Sequence, residues 1–191
     1  MMTSKRGAAI LAVALMLGGC AAGFEATYDH DPSIDFNQYR TFAWISDHPM
    51  QVGVVSRVPN PLLEGRVMAA VEVGLAAKGY SHVGQAMSPD FVMSFTIGSR
   101  EEIKVDSYPS GYGRPAHWGW GGAYYGHGTE TTVRQYTRGT LAIDVFDVSQ
   151  RRPVWHGVAE KRINEADRED AAGTIKAAVD AILAGFPPPP K

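Results

Sequence analysis

The sequence predicts an α+β fold in two layers, in which two amphipathic helices cover one face of a largely antiparallel β-sheet. Two segments have apolar residues at the spacing of an α-helix, and longer segments alternate apolar and polar residues as strands do. The order along the chain is strands, one helix, several strands and a second helix. Each helix has one apolar stripe and each long strand one apolar face, so helices packed on a single sheet face bury all of these surfaces.

The first residues, 1–19, have the three parts of a secretory signal peptide. Lys5 and Arg6 are followed by an uncharged apolar run over residues 7–17 and then by two glycines. The run is too short to cross a bilayer, which takes about 20 apolar residues in a helix. We therefore expect this segment to be removed on export.

Residues 17–20, Leu-Gly-Gly-Cys, resemble the lipobox of bacterial lipoproteins. The resemblance implies diacylglyceryl transfer to the Cys20 sulfur, cleavage before this residue and acylation of its amino group, which makes residues 20–23 a lipidated tether. Ala21, in place of an aspartate, implies the periplasmic face of the outer membrane in a cell with two membranes. Cys20 is the only cysteine, so no internal disulfide can form. The alternative is an ordinary signal peptide that ends near a cysteine.

Two strands and then a helix are expected after the tether. Phe24–Tyr28 and the aromatic-rich Tyr39–Ile45 have strand composition, and residues 29–32 separate them as a solvated turn. The helix begins with Asn60 as its cap, followed by a proline whose missing N–H costs nothing in the first turn. Gly79 suits the left-handed position after the last turn. The apolar stripe of this helix consists of Leu63, Val67, Ala70, Val71 and Leu75.

The rest of the chain predicts further strands and a second helix. The strand segments are Tyr80–Val83, Phe91–Ile97, Thr131–Phe146 and Val154–Arg162, with a turn at 147–153 between the last two. The second helix has its apolar residues between Ala171 and Phe186, and the proline-rich tail 187–191 ends it. Residues 24–186 are long enough for a single domain with one core.

Residues 107–129 interrupt this pattern with glycine, proline and aromatic residues, and we expect a long loop or hairpin tip. Exposed aromatic faces can stack on sugars, bases or a partner protein. The candidate contacts are Tyr112, Trp118, Trp120, Tyr124 and Tyr125. The alternative is a loop without a binding role, tolerated because it lies outside the core. His117 and His127 also raise a metal-binding hypothesis, although zinc takes three or four ligands and no acidic residue lies between them.

No motif of a common catalytic or nucleotide-binding site occurs in the sequence. Gly-x-Ser-x-Gly, Gly-x-x-x-x-Gly-Lys-Ser/Thr and His-Glu-x-x-His are all missing. Asp144 and Asp147 are three positions apart on a strand, so they face opposite sides and cannot act as an acid–base pair. With 18 basic and 20 acidic residues the formal net charge is −2, which argues against a nucleic-acid partner. We expect no cofactor besides the covalent lipid.

Several short motifs occur in a fixed order along the chain. Segment 35–44 reads Asp-Phe-Asn-Gln-Tyr-Arg-Thr-Phe-Ala-Trp, and five motifs follow it: Lys78-Gly79-Tyr80, Pro89-Asp90-Phe91, Tyr136-x-x-Gly139-Thr140-Leu141-x-Ile143-Asp144, Val154-Trp155-His156-Gly157 and Phe186-Pro187-Pro188. Together they resemble the DUF4136 family, typically a domain of bacterial envelope lipoproteins. The resemblance implies location and fold, and no biochemical activity. We expect Tyr39, Phe42, Trp44 and Trp155 to be core residues.

The leading interpretation is a membrane-anchored envelope lipoprotein with a non-enzymatic domain for binding or assembly. Its partners would be the membrane, through the lipid on Cys20, and an envelope protein or a glycan. Two alternatives stay open. One is an envelope hydrolase or carbohydrate-binding protein with a site near residues 107–129, and the other is a metal-binding module that uses His117 and His127.

Overall fold

The computed structural model describes residues 23–55, 60–110 and 128–189. The strands are β1 (Glu25–His30), β2 (Thr41–Trp44), β3 (Met50–Val55), β4 (Ser81–His82), β5 (Phe91–Ser110), β6 (Gly128–Asp147) and β7 (Arg152–Ile163). The helices are α1 (Leu62–Ala77), α2 (Glu165–Glu169) and α3 (Ala171–Leu183). Short 3-10 turns occupy Phe36–Gln38 and Gln85–Met87.

The α+β fold class is confirmed, with a sheet of mixed direction. β1, β7, β6, β5, β2 and β4 lie side by side in this order, and β3 also pairs with β5. The long ladders β1–β7, β7–β6 and β6–β5 are antiparallel. By contrast, β2 pairs in parallel with β4 and β5, and β3 pairs in parallel with β5. The sheet is therefore antiparallel over its long strands and parallel at one edge.

A single core joins the two longer helices to one face of the sheet. The buried helix residues are Val67, Val71 and Leu75 of α1 and Ala178, Val179, Ile182 and Leu183 of α3. They share the core with alternate residues of β5 and β6: Phe91, Met93, Phe95, Leu141, Ile143 and Val145. Burying each large aliphatic or aromatic side chain contributes about 1.5–3 kcal/mol relative to exposure. The predicted apolar stripes are confirmed.

The ends of α1 have the predicted chemistry. Asn60 Oδ1 accepts a hydrogen bond from the backbone N–H of Leu62 at 3.0 Å, which satisfies one of the free donors of the first turn. Gly79, just past the helix, has a φ of 89°, in the left-handed region that favours glycine. These two residues set the limits of the helix.

Aromatic rings fill one end of the space between helices and sheet, which we call the aromatic end. Phe186 lies at its centre, with ring centroids 5.2 Å from Trp155, 5.6 Å from both Tyr80 and Phe91, and 6.0 Å from Phe36. Tilted and edge-on ring pairs of this kind each contribute about 0.5–1.5 kcal/mol beyond the burial itself. The predicted core positions are confirmed: Tyr39, Phe42, Trp44 and Trp155 are all buried.

The end of the second predicted helix differs from expectation. α3 ends at Leu183, so Phe186 lies outside it. The backbone N–H of Phe186 donates to the Leu183 carbonyl at 3.0 Å, and this short turn directs the ring into the core. Burial of the side chain, rather than the helical period, explains its apolar character.

The first predicted turn is wrong at its start. Asp29 and His30 pair with His156 and Trp155 of β7, so β1 continues through residues expected to be a solvated turn. Of the four predicted turn residues, only Asp31 and Pro32 lie beyond the strand, and Asp31 forms an ion pair with Arg152. Backbone pairing with β7 outweighs the low strand propensity of these polar residues.

The predicted loop over residues 107–129 is also wrong at both ends. The ladder between β5 and β6 continues to the pair Ser110 and Gly128, so the strands enclose a shorter segment, 111–127, that lies outside the described residues. We call the part of this hairpin beyond the core, residues 100–110 and 128–138, the arm.

Two elements have no clear signal in the sequence. β3 does not alternate regularly and forms by pairing with β5 from Phe95 to Ser99. α2 has only five residues, too few to show a helical period. Its start is fixed by a capping box: Asn164 Oδ1 accepts from the backbone N–H of Asp167, and Asp167 Oδ2 accepts from that of Asn164, both at 3.0 Å.

Candidate functional site

Every candidate site residue that the sequence predicts lies outside the described residues. These are Cys20, Tyr112, His117, Trp118, Trp120, Tyr124, Tyr125 and His127. Lipidation, aromatic contacts and metal binding at these positions stay predictions. The same holds for the hydrolase and the carbohydrate-binding interpretations, since both placed their site near residues 107–129.

Two features are absent from the part of the chain that the structure describes. It contains no group of three or more His, Cys, Asp or Glu side chains placed to hold a metal ion. None of its helices has the length and apolar character needed to span a membrane.

A polar row crosses the sheet face opposite the helices. Ser94, Asp144 and His156 are neighbours on adjacent strands, and His156 Nδ1 lies 2.6 Å from Asp144 Oδ1. In a serine-based catalytic triad the histidine ring contacts the serine hydroxyl. Here the Asp144 carboxylate lies between Ser94 and His156 instead. Ser94 Oγ is buried and has no hydrogen-bond partner among the described residues. The row therefore lacks the order that nucleophilic catalysis requires.

Asp147 has a structural role in the turn between β6 and β7, as the sequence predicts. Tyr39 Oη donates to Asp147 Oδ2 at 2.6 Å, and the Ser149 hydroxyl and Gln150 backbone N–H both donate to Asp147 Oδ1 at 2.6 Å. Burial alone would raise the pKa of this carboxyl, but the hydrogen bonds outweigh burial and hold the pKa below its ordinary value. Asp144 and Asp147 make separate contacts and do not form an acid–base pair.

An open cleft lies between α1, α3 and the sheet, at the end opposite the aromatic end. Its volume is about 340 Å³, within the range of small-molecule sites. Its walls are mostly apolar: Leu63 and Val67 on α1, Ile175 and Ala178 on α3, and Ile97 and Leu141 on the sheet. Phe24, just before β1, and Ile163, the last residue of β7, also line the cleft. We call this site the apolar cleft.

The apolar cleft exists because small residues occupy positions that face the core. Gly139 is two residues from the buried Leu141 on β6, so it faces the helices, but it has no side chain and the Ile163 side chain packs against it. Ala171 and Ala178 on α3 are also short. As a result Ile97 and Ile175 are only partly buried, although they pack against the core. Apolar side chains therefore face a space that none of the described residues fills.

Few polar groups line the cleft, and one of them is the guanidinium of Arg66. Arg66 is half-buried and makes no hydrogen bond or ion pair with any residue that the structure describes. Arg168 lies nearby on the lining and forms an exposed ion pair with Glu165 at 3.3 Å. Asp167 is bound by Lys161 and by the cap of α2. The rim thus leaves a net positive charge beside an apolar interior.

The arm carries a second apolar surface on the same side of the sheet. Ile103, Val105 and Val133 are exposed by 66%, 57% and 63%, and Val105 pairs directly with Val133 across the hairpin. These residues occupy alternate positions that continue the core-facing rows of β5 and β6. Nothing among the described residues covers them.

The opposite face of the arm is charged but internally neutralised. Glu102 contacts Arg100 at 2.7 Å and Arg138 at 3.1 Å, and both arginines also lie within 4 Å of Glu160. Hydrogen bonds from Tyr136 and Arg100 lower the pKa of Glu102 to about 2. Since the acids and bases satisfy one another, this surface gives no reason to infer an anion site.

Sequence reasoning missed the apolar cleft because it assigned the residues of its walls to the core. Leu63 and Val67 were predicted as part of the α1 stripe, which is correct, but periodicity cannot show that a facing residue is missing. The available signal was the glycine at position 139 within an otherwise apolar strand face.

Known proteins were then compared with the chain. A comparison with curated proteins gives no match. Among solved structures, a DUF4136 family protein from Bacteroides thetaiotaomicron is 13% identical with a TM-score of 0.52, covering 85% of this chain and 96% of that one. At this identity the likeness concerns the fold alone.

Two further solved structures are more distant. A PelC dodecamer from Paraburkholderia phytofirmans is 10% identical with a TM-score of 0.47, covering 84% of this chain and 96% of that one. A putative neuraminyllactose-binding hemagglutinin homolog from Helicobacter pylori is 11% identical with a TM-score of 0.42, covering 78% and 81%. Neither likeness is strong enough to support an argument about this chain.

The family comparison covers most of the sequence. The family model described as "Domain of unknown function (DUF4136)" matches residues 26–188, which include all seven strands and all three helices except the first residue of β1. The resemblance inferred from the short motifs is confirmed, and the chain belongs to the DUF4136 family.

Proposed function

We propose that this protein is a membrane-anchored envelope lipoprotein whose domain binds an apolar ligand in the apolar cleft and catalyses no reaction. The observation that carries the binding part is the cleft itself: a space of about 340 Å³ whose lining is mostly apolar. Water inside such a space has few polar partners, so its displacement by an apolar group is favourable. A catalytic site would instead need convergent polar groups within hydrogen-bond reach of a substrate.

The sequence before the domain supports the membrane anchor. The lipobox-like residues end at Cys20, and Phe24, which lines the cleft, follows four residues later. Four residues span at most about 14 Å when fully extended. A lipid on Cys20 would therefore keep the cleft close to the membrane surface, where apolar ligands are concentrated.

Mass spectrometry of the protein isolated from its native membranes tests the anchor. We expect a mature chain that begins at Cys20 and carries a diacylglyceryl group on sulfur and an acyl group on the amino terminus. Cys20→Ser is expected to prevent both lipidation and cleavage. An unmodified thiol, or a mature start at another residue, would contradict the anchor.

Binding of an apolar fluorescent probe, N-phenylnaphthylamine, tests the cleft. A soluble form that begins at Ala21 keeps every described strand, helix and cleft residue. Ala171→Phe places a ring in the cleft and is expected to weaken probe binding at least tenfold. Ala172→Phe is the matched control, because Ala172, the next residue on α3, is exposed and does not line the cleft. Equal binding by the two variants would contradict the proposal.

A further inference from the structure

The rim and the interior of the apolar cleft together suggest a more specific ligand. We infer that the cleft takes the hydrocarbon chain of a single-chain anionic amphiphile, such as a fatty acid, and that Arg66 binds its acidic head group. This inference depends on the proposed apolar-ligand function and names the chemical class of that ligand. It is carried by three features: the cleft volume, the apolar lining and a guanidinium that has no partner among the described residues.

The volume matches one chain of intermediate length. A methylene group needs about as much space as a water molecule, roughly 30 Å³. A cleft of about 340 Å³ therefore holds one unbranched chain of about ten or eleven carbons. The two chains of a phospholipid would exceed this volume.

The lining supplies the affinity for the chain. Leu63, Ile97, Leu141 and Ile175 approach the cleft from both helices and the sheet, so an unbranched chain would contact apolar atoms on all sides but the mouth. Each buried methylene is expected to tighten binding by about fourfold, the equivalent of about 0.8 kcal/mol. This gain should continue with chain length until the cleft is full and should then level off.

The charge at the rim selects the head group. Arg66 has no partner among the described residues, and its guanidinium can donate two parallel hydrogen bonds to one carboxylate or phosphate. The rim carboxylate of Asp167 is already bound by Lys161 and by the cap of α2, so it does not compete for Arg66. An anion at the mouth would give Arg66 the charged partner that none of the described residues provides.

The hydrocarbon chain in the cleft could come from the lipid on Cys20 or from a free fatty acid, and the charge of the head group distinguishes the two. The diacylglyceryl group expected on Cys20 carries no negative charge, so it would leave Arg66 unpaired. A free fatty acid satisfies both the apolar walls and the guanidinium. We therefore favour a free anionic amphiphile over the protein's own lipid as the occupant.

Calorimetric titration of the soluble form with hexanoate, octanoate, decanoate and dodecanoate tests the chain. The affinity is expected to rise about fourfold per methylene and to level off near decanoate or dodecanoate. If none of these acids, nor dodecanol, binds, the apolar-ligand function itself fails. If the affinity rises without levelling off, the ligand is not limited by this cleft and the inference is overturned.

Arg66→Gln tests the head group. The variant is expected to bind dodecanoate about tenfold more weakly and dodecanol as well as the parent protein does, because only the charged head contacts residue 66. Lys78→Gln removes an exposed charge at the other end of the same helix and should change neither affinity. If the parent prefers dodecanol to dodecanoate, or if Arg66→Gln changes nothing, the anionic head is excluded while the apolar-ligand function survives. A neutral occupant such as the lipid on Cys20 would then be favoured.

Discussion

The same two helices lie on the same sheet face at both ends of the core, yet the two ends are built differently. At the aromatic end, Phe186 is fully buried and packs against four other rings. At the other end, Gly139 and Ala171 leave an open cleft of about 340 Å³. Protein interiors are normally packed as densely as organic crystals, so a large apolar space is unusual. The contrast suggests that the aromatic end holds the layers together and that the cleft end is reserved for binding.

The largest difference between the ends is expected for truncation of apolar side chains. Phe186→Ala should lower the free energy of unfolding by about 3–5 kcal/mol, because it removes a fully buried ring and leaves a cavity. Ile175→Ala, at the edge of the cleft, is the control and should cost about 1–2 kcal/mol, since its side chain is only partly buried. Urea denaturation measures both. Equal losses of unfolding free energy would show that packing at the cleft end contributes as much to stability as packing at the aromatic end.

A smaller difference is expected when a methyl group is added to a glycine at each end. A Cβ at Gly157 would lie 2.3 Å from the Trp155 ring and 2.8 Å from Ile182, inside the closely packed core. Gly157→Ala should therefore lower stability by about 1–3 kcal/mol.

The matched variant at the cleft is Gly139→Ala. The Cβ there would lie 2.9 Å and 3.0 Å from the Cγ1 and Cδ1 atoms of Ile163, the outer part of a side chain that borders open space. Ile163 can rotate away, so we expect a loss of less than about 1 kcal/mol. Thermal unfolding compares the two variants, and a larger loss at Gly139 would reverse the proposed contrast.

The smallest expected effect concerns acid. The pKa of Asp147, beside the aromatic end, lies below its ordinary value because the hydrogen bonds from Ser149 and Tyr39 outweigh burial. A lowered folded-state pKa contributes stability above the unfolded-state value of about 3.9, and this stability is lost as the pH falls through the folded-state pKa. We therefore expect the free energy of unfolding to decrease below about pH 4.

Asp147→Asn tests the origin of this acid sensitivity. The variant should be less stable at neutral pH and should show a shallower decrease of stability with acid, measured by urea denaturation between neutral pH and about pH 2. Asp180→Asn removes the same charge from an exposed position of α3 and serves as the control. An unchanged slope in Asp147→Asn would mean that other carboxyls, such as Asp90 with its similarly lowered pKa, account for the acid response.

The sequence predicted the packed part of the fold better than the open part, for physical reasons. The stripe around Val67 and Val71 could be predicted because burial requires an apolar residue at each helical turn. Gly79 could be placed because few other residues adopt a positive φ. The parallel pairing of β3 with β5 could not, since strand direction depends on the path of the whole chain.

The apolar cleft was out of reach of sequence reasoning for a related reason. A pattern shows which residues face inward, but not whether anything faces them. Arg66 lies between two wall residues of α1 and looks like an ordinary surface arginine until the lack of a partner is seen in three dimensions. Conversely, Cys20 and Trp118 are conspicuous in the sequence alone, and their roles stay predictions because they lie outside the described residues.

The length of the arm has a mechanical consequence. From Arg100 to Ser110 at the last ladder pair, β5 extends for about 33 Å, which is comparable with the thickness of a bilayer's hydrocarbon interior. A two-stranded ribbon of this kind adds little to the folding of the layers beneath it. Fluorophores, epitopes or crosslinkers placed in segment 111–127, which connects β5 to β6, should therefore detect binding far from the core. The body of the protein should stay folded when they are added.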